Sequence, residues 1–303
     1  MALVLFSSLP AWELTGTVLN ASRDSTPAPD INVEFLAVKG QQAPFTLATA
    51  TGDSRGRFKI RLDQPESGST VYASAENLGV RYYSDALSPD VPEDLTLFVY
   101  DTTHSISSLH ILMHHVVVQD FGKTVHVRET RVFKNDSNLT VLDARPHTPV
   151  GPALFQFAVS AELIRFQPGE RLSDADVRYE KGWVYDKRVL PPGKSQLTFT
   201  YELDWDGNRA RLITDIRPGT RSFGVFLADT HLQAVSEHLQ DRGDFYIGSH
   251  TYRRYSGQQV GGKQLEFIVK REGVRVQSPW PAIIISIILC ISVYLIALRV
   301  KRK

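Results

Sequence analysis

The stretch TATGDSRGRFKI, residues 49–60, decides the fold class of the first part of the chain. Two runs rich in Thr, Phe and Ile flank a short polar segment, as in a turn between two β-strands. Asp53 can accept backbone hydrogen bonds inside such a turn, Gly56 can take positive φ, and Phe58 returns to the core. We therefore predict a tight turn here, with Asp53 and Gly56 as its turn-forming residues.

Further strands are predicted on both sides of this turn. They are short, rich in Val, Tyr, Phe and Thr, and separated by clusters of Gly, Pro, Asp and Ser. Seven such strands within about a hundred residues are typical of a β-sandwich, which we assign to residues 12–100. The predicted strands are Leu14–Leu19, Ile31–Val38, Phe45–Thr51, Arg57–Leu62, Thr70–Ala75, Val80–Ser84 and Leu95–Tyr100.

The first domain resembles the carboxypeptidase-regulatory-like, transthyretin-like β-sandwich. That family joins two strands by a Thr-Asp-x-x-Gly-x-Phe turn, whereas here Gly52 separates Thr51 from Asp53, which indicates an altered turn. The module is generally non-catalytic, so the resemblance implies no catalytic residue. The motifs that carry it are Gly16-Thr-Val18, Pro27, Pro29, Ile31-Asn-Val-Glu-Phe35, Thr49–Ile60, Tyr72 and Gly79-Val80.

The whole chain also resembles a group of uncharacterised bacterial membrane-anchored proteins. The similar parts are Val99–Thr103, Met113–Val118, Leu190–Gly193 and the apolar C-terminal segment. No enzymatic activity is implied by this second resemblance.

A second β-sandwich is predicted over residues 101–272. Asp206-Gly207 lies between two strand-like runs and predicts a two-residue hairpin turn. Helix is scarce, with one or two turns expected at most over His231–Gln240. The predicted strands are Ser108–Val118, Thr124–Phe133, Leu154–Ser160, Trp183–Tyr185, Gln196–Trp205, Ala210–Ile216, Ser222–Ala228, Phe245–Tyr252 and Gln264–Lys270.

The two ends of the chain predict export and membrane attachment. Residues 280–298 carry no charge and would span about 28 Å as a helix, so we predict a transmembrane helix at 279–298. A basic tail at 299–303 then marks the cytoplasmic side. Residues 1–11 are interpreted as a signal-peptide remnant. The residues assigned to the anchor are Trp280, Tyr294, Arg299, Lys301, Arg302 and Lys303.

Composition excludes several function classes. The formal net charge is +1, which argues against a nucleic-acid binder, since such a protein needs a basic face. The only cysteine, Cys290, lies in the apolar C-terminal segment. Intramolecular disulfides and thiolate chemistry in the two domains are therefore excluded.

A histidine-rich hairpin is the main candidate for a ligand site. The strand around His114 and His115 has apolar residues on both faces and is expected to be central in its sheet. If the turn spans Gln119 to Lys123, His115 and Glu129 share a face and form a weak metal-site candidate, with His110, His114 or His126 as further ligands. A one-residue slip would reverse the faces. The alternative is a buried polar pair of Glu129 with Arg131 or His115, which we favour because no third ligand is visible.

These observations predict a protein of two β-sandwich domains and one C-terminal transmembrane helix. Its expected role is non-catalytic binding or scaffolding, without a cofactor, at the inner membrane with most of the chain periplasmic or extracellular. The expected partners are an unknown protein or surface partner and the lipid bilayer, and no nucleic acid. The alternatives are an accessory factor that assembles an exported redox or metal complex, and an envelope hydrolase.

Overall fold

The computed structural model describes residues 12–40, 42–63, 65–87, 94–170, 172–217, 219–229, 231–248, 250–257 and 263–272. In the described part of the chain 64% of the residues are in strands and 1% in helix, so the β-rich part of the predicted fold class is confirmed. The single 3₁₀ turn in this part of the chain is Ala21–Arg23.

Short strands follow one another along the described part of the chain. They are β1 Trp12–Asn20, β2 Thr26–Pro27, β3 Asn32–Lys39, β4 Phe45–Thr51, β5 Arg57–Leu62, β6 Ser69–Asn77, β7 Val80–Tyr83, β8 Asp94–Val99, β9 Thr102–Thr103, β10 Leu109–Asp120, β11 Thr124–Asn135, β12 Thr140–Val141, β13 Phe155–Ala158, β14 Arg165–Pro168, β15 Val177–Glu180, β16 Trp183–Asp186, β17 Gly193–Asp204, β18 Arg209–Ile216, β19 Phe223–Leu227, β20 Leu232–Val235, β21 Leu239–Ile247, β22 His250–Gly257 and β23 Lys263–Arg271.

The first unit is a sandwich of two four-stranded sheets. One sheet has the order β4-β3-β6-β7, and in the other β1 pairs with β2 and β5 and, in parallel, with β8. Phe35 of the first sheet and Phe58 of the second meet edge to face, with ring centroids 6.1 Å apart. Side chains from both sheets form one core, which includes Val18, Val33, Phe35, Phe58, Leu62, Ala73, Leu97 and Val99.

The turn at residues 53–57 connects the two sheets. Within the turn, the carboxylate oxygen Oδ1 of Asp53 accepts hydrogen bonds from the backbone N–H groups of Arg55 and Arg57, both at 2.8 Å. The Gly56 backbone has φ +70° and its carbonyl accepts a bond from Val18 N at 2.8 Å. A Cβ added to Gly56 would lie 2.5 Å from the Val18 carbonyl oxygen, so this position has no room for a side chain.

The first unit also takes up two segments from later in the chain. It comprises Met1–Ile106, Asp136–Leu142 and Val189–Pro192, whereas the sequence predicted a boundary near residue 101. Strand β12 pairs in parallel with β9, and Val141 and Leu190 exchange backbone hydrogen bonds of 2.9 and 2.8 Å. The segments belong to the first unit because their backbone groups and apolar side chains find partners there.

The second unit is built around a seven-stranded sheet of order β14-β17-β11-β10-β19-β22-β21. The pairing of β10 with β19 is parallel, and the other pairings in this sheet are antiparallel. Two three-stranded sheets, β13-β16-β15 and β18-β23-β20, pack against one face, which we call the inner face. The opposite side of the seven-stranded sheet is called the outer face.

The Asp206-Gly207 turn forms, but its flanking strands enter different sheets. Asp206 and Arg209 exchange backbone hydrogen bonds of 2.8 and 3.0 Å around Gly207, which has φ +60°. Strand β17 then belongs to the seven-stranded sheet and β18 to a three-stranded sheet. The pair therefore makes a corner between sheets, where a hairpin within one sheet was expected.

Two predictions about helices are wrong. The segment His231–Gln240 forms strand β20 and the start of β21, because its backbone pairs with β23 and β22. In the described part of the chain no helix is long and apolar enough to cross a membrane, so the predicted C-terminal transmembrane helix and the single-pass inner-membrane placement are not supported.

The segments behind the export prediction lie outside the described residues. They are the signal-peptide remnant at 1–11, the apolar run at 279–298 and the basic tail at 299–303, which together hold Trp280, Tyr294, Arg299, Lys301, Arg302 and Lys303. The periplasmic or extracellular placement was inferred from these segments and loses its support together with the helix.

Substituting Gly56 by Ala will destabilise the first unit more than substituting Gly79 by Ala. Both glycines have positive φ, which costs a residue with a Cβ about 1–2 kcal/mol. At Gly56 the added Cβ also collides with its surroundings, and such overpacking costs about 1–3 kcal/mol of stability. At Gly79 there is no collision, because nothing lies within 4 Å of the added Cβ. Hydrogen exchange in urea, followed in peptides of β1 and β5, measures the difference. Equal losses of stability in the two variants would show that the collision with the Val18 carbonyl has no energetic cost.

Candidate functional site

The observed register of the β10–β11 hairpin places His114, not His115, beside Glu129. Val116 lies opposite Glu129, and His114 lies opposite Arg131. Because side chains alternate along a strand, His114, Glu129 and Arg131 all point to the inner face. His115 lies opposite Thr130 and points to the outer face. The structure therefore separates the two residues of the predicted metal site, His115 and Glu129.

Glu129 is the centre of a fully buried polar cluster. Its carboxylate pairs with His114 Nε2 at 3.0 Å and with Arg131 Nη2 at 2.9 Å. It also accepts hydrogen bonds from Tyr201 Oη at 3.1 Å and Thr214 Oγ1 at 3.0 Å. The exposed fraction of all five residues is 2% or less. Strands β10, β11, β17 and β18 thus meet at one carboxylate.

The charges in this cluster are balanced. Burial raises the pKa of Glu129, but Arg131 and the hydrogen bonds from His114 and Thr214 lower it overall, so the group is a carboxylate. Burial, helped by the charge of Arg131, lowers the pKa of His114 to about 4. Burial and the nearby Glu129 carboxylate raise the pKa of Tyr201 well above its ordinary value. One carboxylate and one guanidinium therefore face each other among neutral groups.

The cluster is suited to holding strands together and not to chemistry on a substrate. The Arg131 guanidinium lies over the Phe157 ring at 4.0 Å, which closes the cluster on the side of β13. None of its side chains reaches solvent, so no substrate can contact the carboxylate. Within the described ranges, no group of three His, Cys, Asp or Glu side chains could hold a metal ion. His110, at the start of β10, and His126, on the outer face, lie away from this cluster.

The outer face of the same sheet carries a groove of about 340 Å³. It crosses four neighbouring strands, β14, β17, β11 and β10, which lie about 4.8 Å apart. Most of its lining side chains are polar. The strand register arranges them in two rows: Arg165, Glu202, His126 and Gln119 form one row, and Gln167, Thr200, Arg128 and Val117 form the next.

A chain of contacts holds the first row of the groove in place. The Glu202 carboxylate accepts a hydrogen bond from Arg165 Nε at 2.6 Å and lies 3.4 Å from His126 Nε2. The His126 ring stacks on Phe121 with centroids 3.8 Å apart. Burial lowers the pKa of His126 more than Glu202 raises it, and Arg165 adds to the lowering. The imidazole is therefore neutral at pH 7.

One wall of the groove depends on a glycine. Gly169 follows β14 and donates its N–H to the Thr198 carbonyl oxygen at 2.8 Å. A Cβ at this position would lie 2.6 Å from that oxygen. Only glycine allows the wall to lie so close to β17, and Glu170 then stands at the rim of the groove.

Of the groove side chains, the sequence singled out His126, as a possible further ligand in the histidine-rich hairpin. The available signal was the alternation of Thr198, Thr200 and Glu202 with Leu197, Phe199, Tyr201 and Leu203. Arg165 gave no signal, because its position beside Glu202 results from the pairing of β14 with β17.

Comparison with known proteins does not identify a family for this chain. No protein-family model matches the chain, and no curated protein is significantly similar to it. The resemblance of the first domain to the carboxypeptidase-regulatory-like sandwich therefore stays a prediction.

Replacing Glu129 by Gln will cost about 3–5 kcal/mol of stability in the second unit, because Arg131 is left buried without a counter-charge. Replacing both residues, Glu129 by Leu and Arg131 by Met, will cost less than the single change, since no charge then stays buried. Urea unfolding of the three proteins measures both values. A double variant that is less stable than Glu129→Gln would contradict the expectation that the unpaired charge of Arg131 carries the cost.

Acid will destabilise the second unit between pH 6.5 and 4. Burial lowers the pKa of His115 to about 4, with smaller contributions from His114 and Arg254. Burial likewise lowers the pKa of His114 to about 4. The unfolded chain takes up these protons near pH 6.5 and the folded chain only near 4. Stability is therefore full above 6.5 and falls below it, by roughly 3 kcal/mol for each histidine at the acid end.

The variant His115→Phe tests this pH dependence. It keeps an aromatic contact with Phe226 and removes one titrating group, so roughly half of the loss between pH 6.5 and 4 should disappear. The measurement is the urea midpoint as a function of pH. An unchanged slope would mean that His115 is not the group that titrates.

Proposed function

We propose that this chain is a non-catalytic binding protein whose second unit receives its ligand in the groove on the outer face. The observation that supports this proposal is the groove itself, a concave site of about 340 Å³ in which most lining residues have polar side chains. Its volume lies at the lower end of the range for small-molecule sites, about 300–1,000 Å³.

The groove is preorganised for binding. Its lining stands on four paired strands of a seven-stranded sheet, which is more rigid than a site made of loops. The Arg165–Glu202–His126–Phe121 contacts fix one row before a ligand arrives. Little conformational entropy is therefore lost on binding.

The chemistry of the lining favours binding over hydrolysis. Of its two carboxylates, Glu202 is engaged by Arg165 and His126, and Glu170 stands exposed at the rim. Hydrolysis by a carboxylate pair needs one acid and one base held on either side of the scissile bond. The lining contains no Ser or Cys that could act as a nucleophile. The second candidate, assembly of a metal complex, has no supporting observation in the described residues.

Filling the groove tests this function. Thr200 stands in its second row, so Thr200→Trp should block it, while Gln233→Trp adds the same side chain at an exposed position of β20. A small-molecule library is screened by thermal shift on the full chain and both variants. A ligand present at a concentration of 100 times its Kd raises the free energy of unfolding by about 2.7 kcal/mol.

The expected hits raise the melting temperature of the wild type and of Gln233→Trp but not of Thr200→Trp. Hits that stabilise all three proteins equally would place binding elsewhere. A screen without a groove-dependent hit would also count against the proposal. Urea midpoints of both variants verify that each is folded.

A further inference from the structure

We infer that the groove binds a neutral, polyhydroxylated ligand, that is, a small carbohydrate. This inference rests on the proposed binding function and names the class of its ligand. It is carried by the balance of charges in the groove, by its hydrogen-bonding groups and by its apolar surfaces.

The lining has no excess of either charge. Arg128 and Arg165 contribute two positive charges, and Glu170 and Glu202 contribute two negative ones. His126 is neutral at pH 7 because burial lowers its pKa. A site for phosphate or another anion concentrates cations, and a site for a cation concentrates carboxylates. The groove does neither, so it favours a neutral ligand.

The remaining polar groups both donate and accept hydrogen bonds. Gln119 and Gln167 present amides and Thr200 presents a hydroxyl, whereas the buried Thr198 hydroxyl already pairs with Thr130 and Gln196. Each amide has donor and acceptor atoms, and each hydroxyl serves as either. A sugar offers the same mixture, because every hydroxyl on its ring donates one hydrogen bond and accepts others. The match lies in many interchangeable partners and not in one strong ion pair.

The groove also offers apolar surface to one side of a ring. Val117 ends the second row, and Phe121 stands beside His126 at the end of the first row, so both lie at the β10 end of the groove. A sugar ring has C–H groups on its faces and hydroxyls around its edge. Apolar surface at one end of the groove can pack on the C–H groups, while the polar side chains of the two rows meet the hydroxyls.

An extended peptide fits the groove less well. Peptides that bind sheets usually add a strand at an edge, where free backbone N–H and C=O groups are available. The groove lies across the face of the sheet, where the backbone groups of β17, β11 and β10 are paired with neighbouring strands on both sides and β14 forms the edge. A ligand on that face meets side chains of all four strands, which favours a compact molecule.

Saturation-transfer-difference NMR on the full chain tests the inference. The neutral probes are glucose, galactose, mannose, N-acetylglucosamine and disaccharides of each, and the charged probes are glucuronic acid, glucosamine and glucose 6-phosphate. Each is measured with the wild type, Thr200→Trp, Gln167→Ala and the control Gln233→Trp. Gln167 is exposed, so its truncation leaves the sheet intact.

We expect at least one neutral sugar to bind the wild type and the control and to lose binding in Thr200→Trp. Gln167→Ala should weaken Kd by about three- to tenfold, the effect of one neutral hydrogen bond. If only charged probes or non-sugar library ligands show groove-dependent binding, the inference of a neutral carbohydrate ligand falls and the binding function stands. If no compound binds in a way that Thr200→Trp abolishes, both fall.

Discussion

The buried ion pair of Glu129 and Arg131 is the constraint on which the second unit depends. Taking two charges out of water costs several kcal/mol per ion, which only close pairing and further hydrogen bonds offset. Glu129 meets this condition through His114, Tyr201 and Thr214. The five residues come from four strands, so the pairing fixes how those strands are placed against one another.

The same pair fixes what the outer face presents. Side chains alternate along a strand, so a register that turns Glu129 inward turns Arg128 outward. A one-residue slip of β11 would bury Arg128 without its partners. It would also expose Glu129 together with the other inward-facing side chains of this strand. The groove and the buried cluster are therefore two consequences of one strand register. The proposed binding site on one face thus depends on an ion pair buried on the other face.

Several features could be predicted from the sequence because they are local. The alternation of apolar residues indicated strands, and Asp53 with Gly56 indicated a turn whose hydrogen bonds close within five residues. The apolar residues on both faces of β10 indicated a central strand, and β10 is the fourth of seven.

The sequence by itself determined the β-rich character of the chain, its turns and the partly apolar nature of each strand, because these follow from neighbouring residues. Only the tertiary structure decided that His114 and not His115 meets Glu129, that 136–142 and 189–192 join the first unit, and that Arg165 reaches Glu202. Each of these depends on pairing between residues far apart in the chain. The alternation of apolar and polar residues in a strand does not specify its partner strand or its register. Both were set by which side chains could be buried together.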